Sequence, residues 1–84
     1  MRPIFVMIKC EMGQAYNVAR EAADRISELS ELFSISGQYD LLGKFYLDET
    51  QDTGLFVTEN VQTLPGVMDT YTLITFNAFG GGSG

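Results

Sequence analysis

Residues 32–47, LFSISGQYDLLGKFYL, decide the topology. Leu32–Ser36 reads as a short strand, Gly37-Gln38 as a turn and Tyr39–Leu47 as a longer strand, so two strands follow one another with no helix between them. Glycine at the first central position of a two-residue loop meets the backbone demand of a type II′ turn. On the N-terminal side, Ile4–Cys10 is almost continuously apolar and branched, the pattern of a strand covered on both faces. Between that strand and the hairpin, Ala15, Val18, Ala19, Ala22, Ala23, Ile26 and Leu29 recur at helical spacing, and the outer face pairs Glu21 with Arg25. On the C-terminal side, Asp48, Glu49, Thr50 and Asp52 put capping and acidic residues where a second helix starts. Gly54, Val57, Val61 and Leu64 form its inward stripe, Pro65-Gly66 ends it, and Val67–Phe79 alternates as a last strand. Strand, helix, strand, strand, helix, strand is the order of a ferredoxin-like α+β domain, an antiparallel four-stranded sheet with two helices on one face.

Two helices cover one face of such a sheet, yet the strands are apolar on both. The face without helices is expected to carry Phe5, Met7, Leu42, Tyr46 and Leu73. Each such side chain left in water forfeits roughly 1.5–3 kcal/mol of burial, and together they make a large exposed patch. A partner for the open face is therefore expected, most economically a second copy of the chain, closing a dimeric α+β barrel.

The 84 residues form one domain, expected over 1–79, with residues 80–84 read as a flexible Gly/Ser tail. Eleven acidic against five basic residues give a net charge of −6, a field that repels phosphate backbones and argues against direct nucleic-acid binding. The chain has no His and a single Cys, so the usual general base, the commonest zinc ligand and an intrachain disulfide are missing. A cytoplasmic protein without membrane span, metal, cofactor or catalytic activity is the expectation. Cys10 reads as a structural thiol, Asp48, Glu49 and Asp52 as helix caps rather than a cation site, and Met12-Gly13-Gln14 as a tight turn. Lys9 and Lys44, set in apolar strands, read as snorkelling cations.

The hairpin SISGQYDLL (residues 34–42) and the later LPGVMDTYTL (residues 64–73) resemble the effector-binding domain of the Lrp/AsnC regulators of amino-acid metabolism. The resemblance runs from Ile4 to Phe79. It implies a homodimer through the open sheet faces, further association of dimers into a ring, and an amino acid or related metabolite bound between subunits near the hairpin. Family regulators carry a helix-turn-helix domain ahead of this unit, and the present chain resembles the stand-alone members that lack it. The ligand-contact residues expected on this basis are Gly37, Gln38, Tyr39 and Asp40, together with Thr70 and Thr72, whose hydroxyls share one strand face. Asp40 suits a ligand ammonium group and the glycine backbone a carboxylate, although an Asp after a turn also serves to hydrogen-bond nearby backbone. Two alternatives stay open at this level: a small monooxygenase-like enzyme built on the same dimeric barrel, and an assembly partner that joins full-length regulators in a mixed oligomer.

Overall fold

The computed structural model describes residues 1–80, and the rest of the expected Gly/Ser tail lies outside them. Four strands, β1 (Arg2–Cys10), β2 (Leu29–Ser34), β3 (Leu41–Leu47) and β4 (Val67–Ile74), form one sheet in the order β2-β3-β1-β4. Every neighbouring pair is antiparallel. Helix α1 (Ala15–Arg25) connects β1 to β2. Helix α2 (Thr53–Phe56) widens into a π-helical turn over Val57–Val61 before β4. This is the ferredoxin-like arrangement that the element order implies.

The core lies between the helices and one face of the sheet. Ile4, Val6 and Ile8 of β1 and Leu41, Phe45 and Leu47 of β3 pack there with Val18, Ala22, Phe56, Val57 and Val61. Alternation in β1 and β3 is strict, one residue buried and the next half-exposed, because side chains of an extended chain point to opposite faces in turn. The Phe56 ring meets the Phe45 ring edge-on at 5.4 Å, and Arg2 ties the start of β1 to the approach to α2 by donating to Thr53 Oγ1 and the Gln51 carbonyl.

Several local expectations give way. Helix α1 stops at Arg25, because Ile26 adopts an extended conformation and drops into the core, Leu29 opens β2, and Ala23 faces solvent. The Glu21–Arg25 ion pair forms at 2.7 Å on the surface. The second helix starts late: Asp48 spends its carboxylate on the Thr50 and Gln51 amides and the Thr50 hydroxyl, closing a turn, and Thr53 is the first helical residue. Those three bonds hold the Asp48 carboxyl below its usual range, the Thr50 hydroxyl contributing most. Gly54 is exposed and Phe56 takes the inward place, since the π turn, closed by the Gln62 amide on the Val57 carbonyl, shifts the apolar stripe.

The hairpin is wider than a two-residue turn. Strand β2 ends at Ser34 and β3 begins at Leu41, with the Ile35 amide donating to the Asp40 carbonyl at 2.9 Å across the loop. Gly37 sits at φ +105°, so glycine is needed there, but Asp40 is drawn towards β1 and opens the turn. Strand β4 ends at Ile74, short of Phe79.

Two glycines are fixed by their surroundings. A Cβ on Gly43 would lie 2.8 Å from the Phe45 ring, and Gly66, at φ +94°, would set one 3.1 Å from Val18 Cγ2. Gly43→Ala and Gly66→Ala should each cost about 1–3 kcal/mol of folding stability through overpacking, with backbone strain added at Gly66. Gly54→Ala, with open space around the new methyl, should stabilise by about 0.4–1 kcal/mol by restricting the unfolded chain. Chemical denaturation of the three variants checks the signs.

Candidate functional site

At the end of the sheet where β1 runs out, the chain must turn into α1 while β4 begins beside it. The β1–β4 register slips between Lys9 and Cys10: Lys9 stands opposite Asp69 and Cys10 opposite Val67, leaving Met68 as the extra residue of a bulge. Val67 thereby joins the core side with Cys10, not the open face assigned to it by simple alternation. The Cys10 amide at this bulge donates to Asp40 Oδ2 at 2.7 Å, a contact spanning 30 residues. The Asp40 amide in turn donates to the Ile8 carbonyl at 2.9 Å. Asp40 is thus clamped to β1 by main chain and side chain, and one carboxylate oxygen remains outside that bond.

Around this clamp lies an open groove of about 580 Å³. Asp40, Lys9 and Glu11 give it charge, and Met12, Tyr16 and Met68 give it an apolar wall. The three apolar side chains are largely exposed, Met12 at 99%. Lys9 Nζ donates to the Gln38 carbonyl at 3.2 Å and so braces the hairpin loop from below. The Cys10 thiol, buried and beside the Asp40 charge, has its pKa pushed up, burial being the larger cause. It is a thiol packed into the core cluster at the floor of the bulge.

The six expected ligand residues do not meet within one protomer. Asp40 faces the groove. Tyr39 turns towards the open face, where its ring lies 6.3 Å from that of Tyr71. Thr70 and Thr72 do share a face, but the register sets them opposite Ile8 and Val6 on the helix side, and Thr70 Oγ1 accepts from Gln62 Nε2 at 2.9 Å. Sequence reasoning missed Tyr16 and Met68 as groove residues, and for Lys9 it preferred snorkelling to contact with a charged ligand. The signal for Met68 was its place next to a strand bulge, which appears only once β1 and β4 are paired.

Phe5, Met7, Leu42, Tyr46 and Leu73 all lie on the open face, joined there by Phe33 and Tyr71, each 52% exposed. The charged residues of this face are Lys9 and Lys44 against Glu31 and Asp69. Lys44 Nζ sits 5.1 Å from the Tyr46 ring centroid and 5.9 Å from that of Phe5, directly across from Glu31. Those two cations and two anions balance within the paired strands of the face, and the chain as a whole carries −6. Among the described residues no group of His, Cys, Asp or Glu is placed to hold a metal ion, and no helix is long and apolar enough to cross a membrane.

Comparison with known proteins fits this geometry. None of the curated protein sequences matches the chain significantly. Among solved structures, a protein of Thermus thermophilus superposes with a TM-score of 0.84 at 28% identity, over 94% of this chain and 98% of that one. FFRP-DM1 gives 0.82 at 26% identity, over 90% and 100%. A transcriptional regulator of Neisseria meningitidis, solved as a complex with L-methionine, shares the fold at 18% identity with a TM-score of 0.73, over 90% of this chain and 50% of its own. The family model of the Lrp/AsnC ligand binding domain matches residues 4–80, and the chain belongs to that family.

Proposed function

We propose that the chain is a small-molecule sensor domain that pairs through its open sheet face and binds a free amino acid or related metabolite at a cleft between subunits beside the 35–40 loop. The observation that carries this reading is Asp40: a carboxylate fixed by its own amide and by the Cys10 amide, at the mouth of a groove with Lys9 on one side and Tyr16 and Met68 on the other. A free amino acid is a cation and an anion one carbon apart with a variable side chain. Asp40 answers the ammonium group, Lys9 and the Gly37 and Gln38 amides answer the carboxylate, and the apolar wall answers the side chain. Thr70 and Thr72, on the helix side of β4, take part as residues offered to a ligand held by a neighbouring subunit's hairpin. The methionine complex of the Neisseria relative is consistent with a ligand of this class. Ligand held between subunits stabilises one assembly over another by its differential affinity, and that shift is the signal.

The dimer reading rests on the neutral apolar face. The paired strands bring balanced charge to such a contact, whereas the excess negative charge of the chain lies elsewhere.

Two outcomes are expected. Asp40→Asn keeps an acceptor for the Cys10 amide and removes the charge, so its fold and oligomeric state should match the parent, with a slightly lower melting temperature from the weakened Cys10 bond. Its affinity for an amino-acid ligand found by native mass spectrometry should fall by about 1.5–3 kcal/mol, the value of a charge-assisted hydrogen bond. Unchanged affinity would leave Asp40 a structural residue alone. Tyr46→Asp should convert the dimer to a folded monomer in sedimentation analysis, and the parent dimer should persist from low to high salt because its face is apolar and neutral. A dimer that survives the substitution places the contact elsewhere.

A further inference from the structure

Beyond β4 the chain continues as Thr75-Phe76-Asn77-Ala78-Phe79, and the two aromatic rings are 93% and 89% exposed. They are more exposed than any large apolar side chain of the open face. Their root is held: Thr75 Oγ1 donates to the Pro3 carbonyl at 2.7 Å. The β1–β4 ladder stops one residue earlier, at the Ile4–Ile74 pair, because Pro3 has no amide hydrogen with which to continue it. The segment is thus released from its own sheet at a fixed point, in line with the edge strand, and among the described residues its phenylalanines pack against no core cluster.

This is not the composition of a solvated terminus, which is polar or small. The core is already closed over Ile4, Phe45, Leu47 and Phe56, so the rings have no place in it. Resting on the dimer proposed above, we infer that residues 75–79 form an arm that docks on the second copy of the chain, with Phe76 and Phe79 as its anchors. The reach suffices: five extended residues span about 17 Å, while two packed sheets lie about 10 Å apart. The arm leaves from the end of the sheet bordered by Pro3 and its β3 partner Tyr46, so it continues the rim of the apolar open face. It carries no charge, as the neutral face requires of anything joining it. Under twofold symmetry each protomer gives one arm and receives one.

The test compares the full chain with Phe76→Ser/Phe79→Ser in sedimentation and in isotope-filtered NMR on a mixture of labelled and unlabelled protein. The arm docks in trans if the rings of Phe76 and Phe79 show intermolecular contacts and the double variant dimerises at least tenfold more weakly with an unchanged monomer fold. If the rings show contacts only within their own chain, or the double variant dimerises like the parent, the arm proposal is overturned. In that case Tyr46→Asp still reports on the sheet-face dimer separately: loss of the dimer in that variant alone keeps the face and removes the arm, and a monomeric parent removes both.

Discussion

Everything in this molecule hangs on the two-sidedness of β1. It is a central strand, paired on both edges, and its residues alternate between a helix-covered face of Ile4, Val6, Ile8 and Cys10 and an open face of Phe5, Met7 and Lys9. A strand with one apolar face needs one cover. A strand with two needs a second, and the two helices are already spent on the first. The uncovered apolar face is therefore built into the middle of the fold rather than added at its surface.

The same strand carries the candidate site at its far end. The bulge at Lys9–Cys10 releases an amide that the regular ladder would use, and Asp40 takes it from 30 residues away. The carboxylate that the sensor reading assigns to a ligand is thus also part of how β1 is joined to the hairpin loop. Both roles fit one residue, since an ionised carboxylate has two oxygens and several acceptor directions. A group seated by rigid strand backbone is positioned more firmly than one on a free loop.

Element order, the covered face and the open-face residues were legible in the sequence, because period-two alternation in β1 and β3 is strict and needs no tertiary knowledge. Boundaries failed where a long-range contact overruled a local signal. Ile26 left the helical stripe to fill the core, Asp48 closed a turn in place of a helix cap, and Asp40 widened a hairpin whose glycine suggested a tight one. Of the groove residues, Asp40 could be singled out from its place just after the turn. The separation of Thr70 and Thr72 from that residue could not, because it follows from the β1–β4 register and its bulge. Lys9, Tyr16 and Met68 come together only when three segments distant in the chain converge.

In the proposed assembly, the uneven placement of charge sets a limit on growth. A lone protomer is apolar on its open face and carries its excess negative charge elsewhere. In the proposed dimer the open face is covered and the charge of −6 is doubled, while the paired strands bring only their balanced four ionisable groups to the seam. Each further step of assembly therefore works against a field that the previous step has strengthened. Such a particle stops enlarging when electrostatic work overtakes the contact energy of its ends, so the final number of subunits depends on ionic strength and on any ligand that alters charge at those ends, even though the founding pair does not.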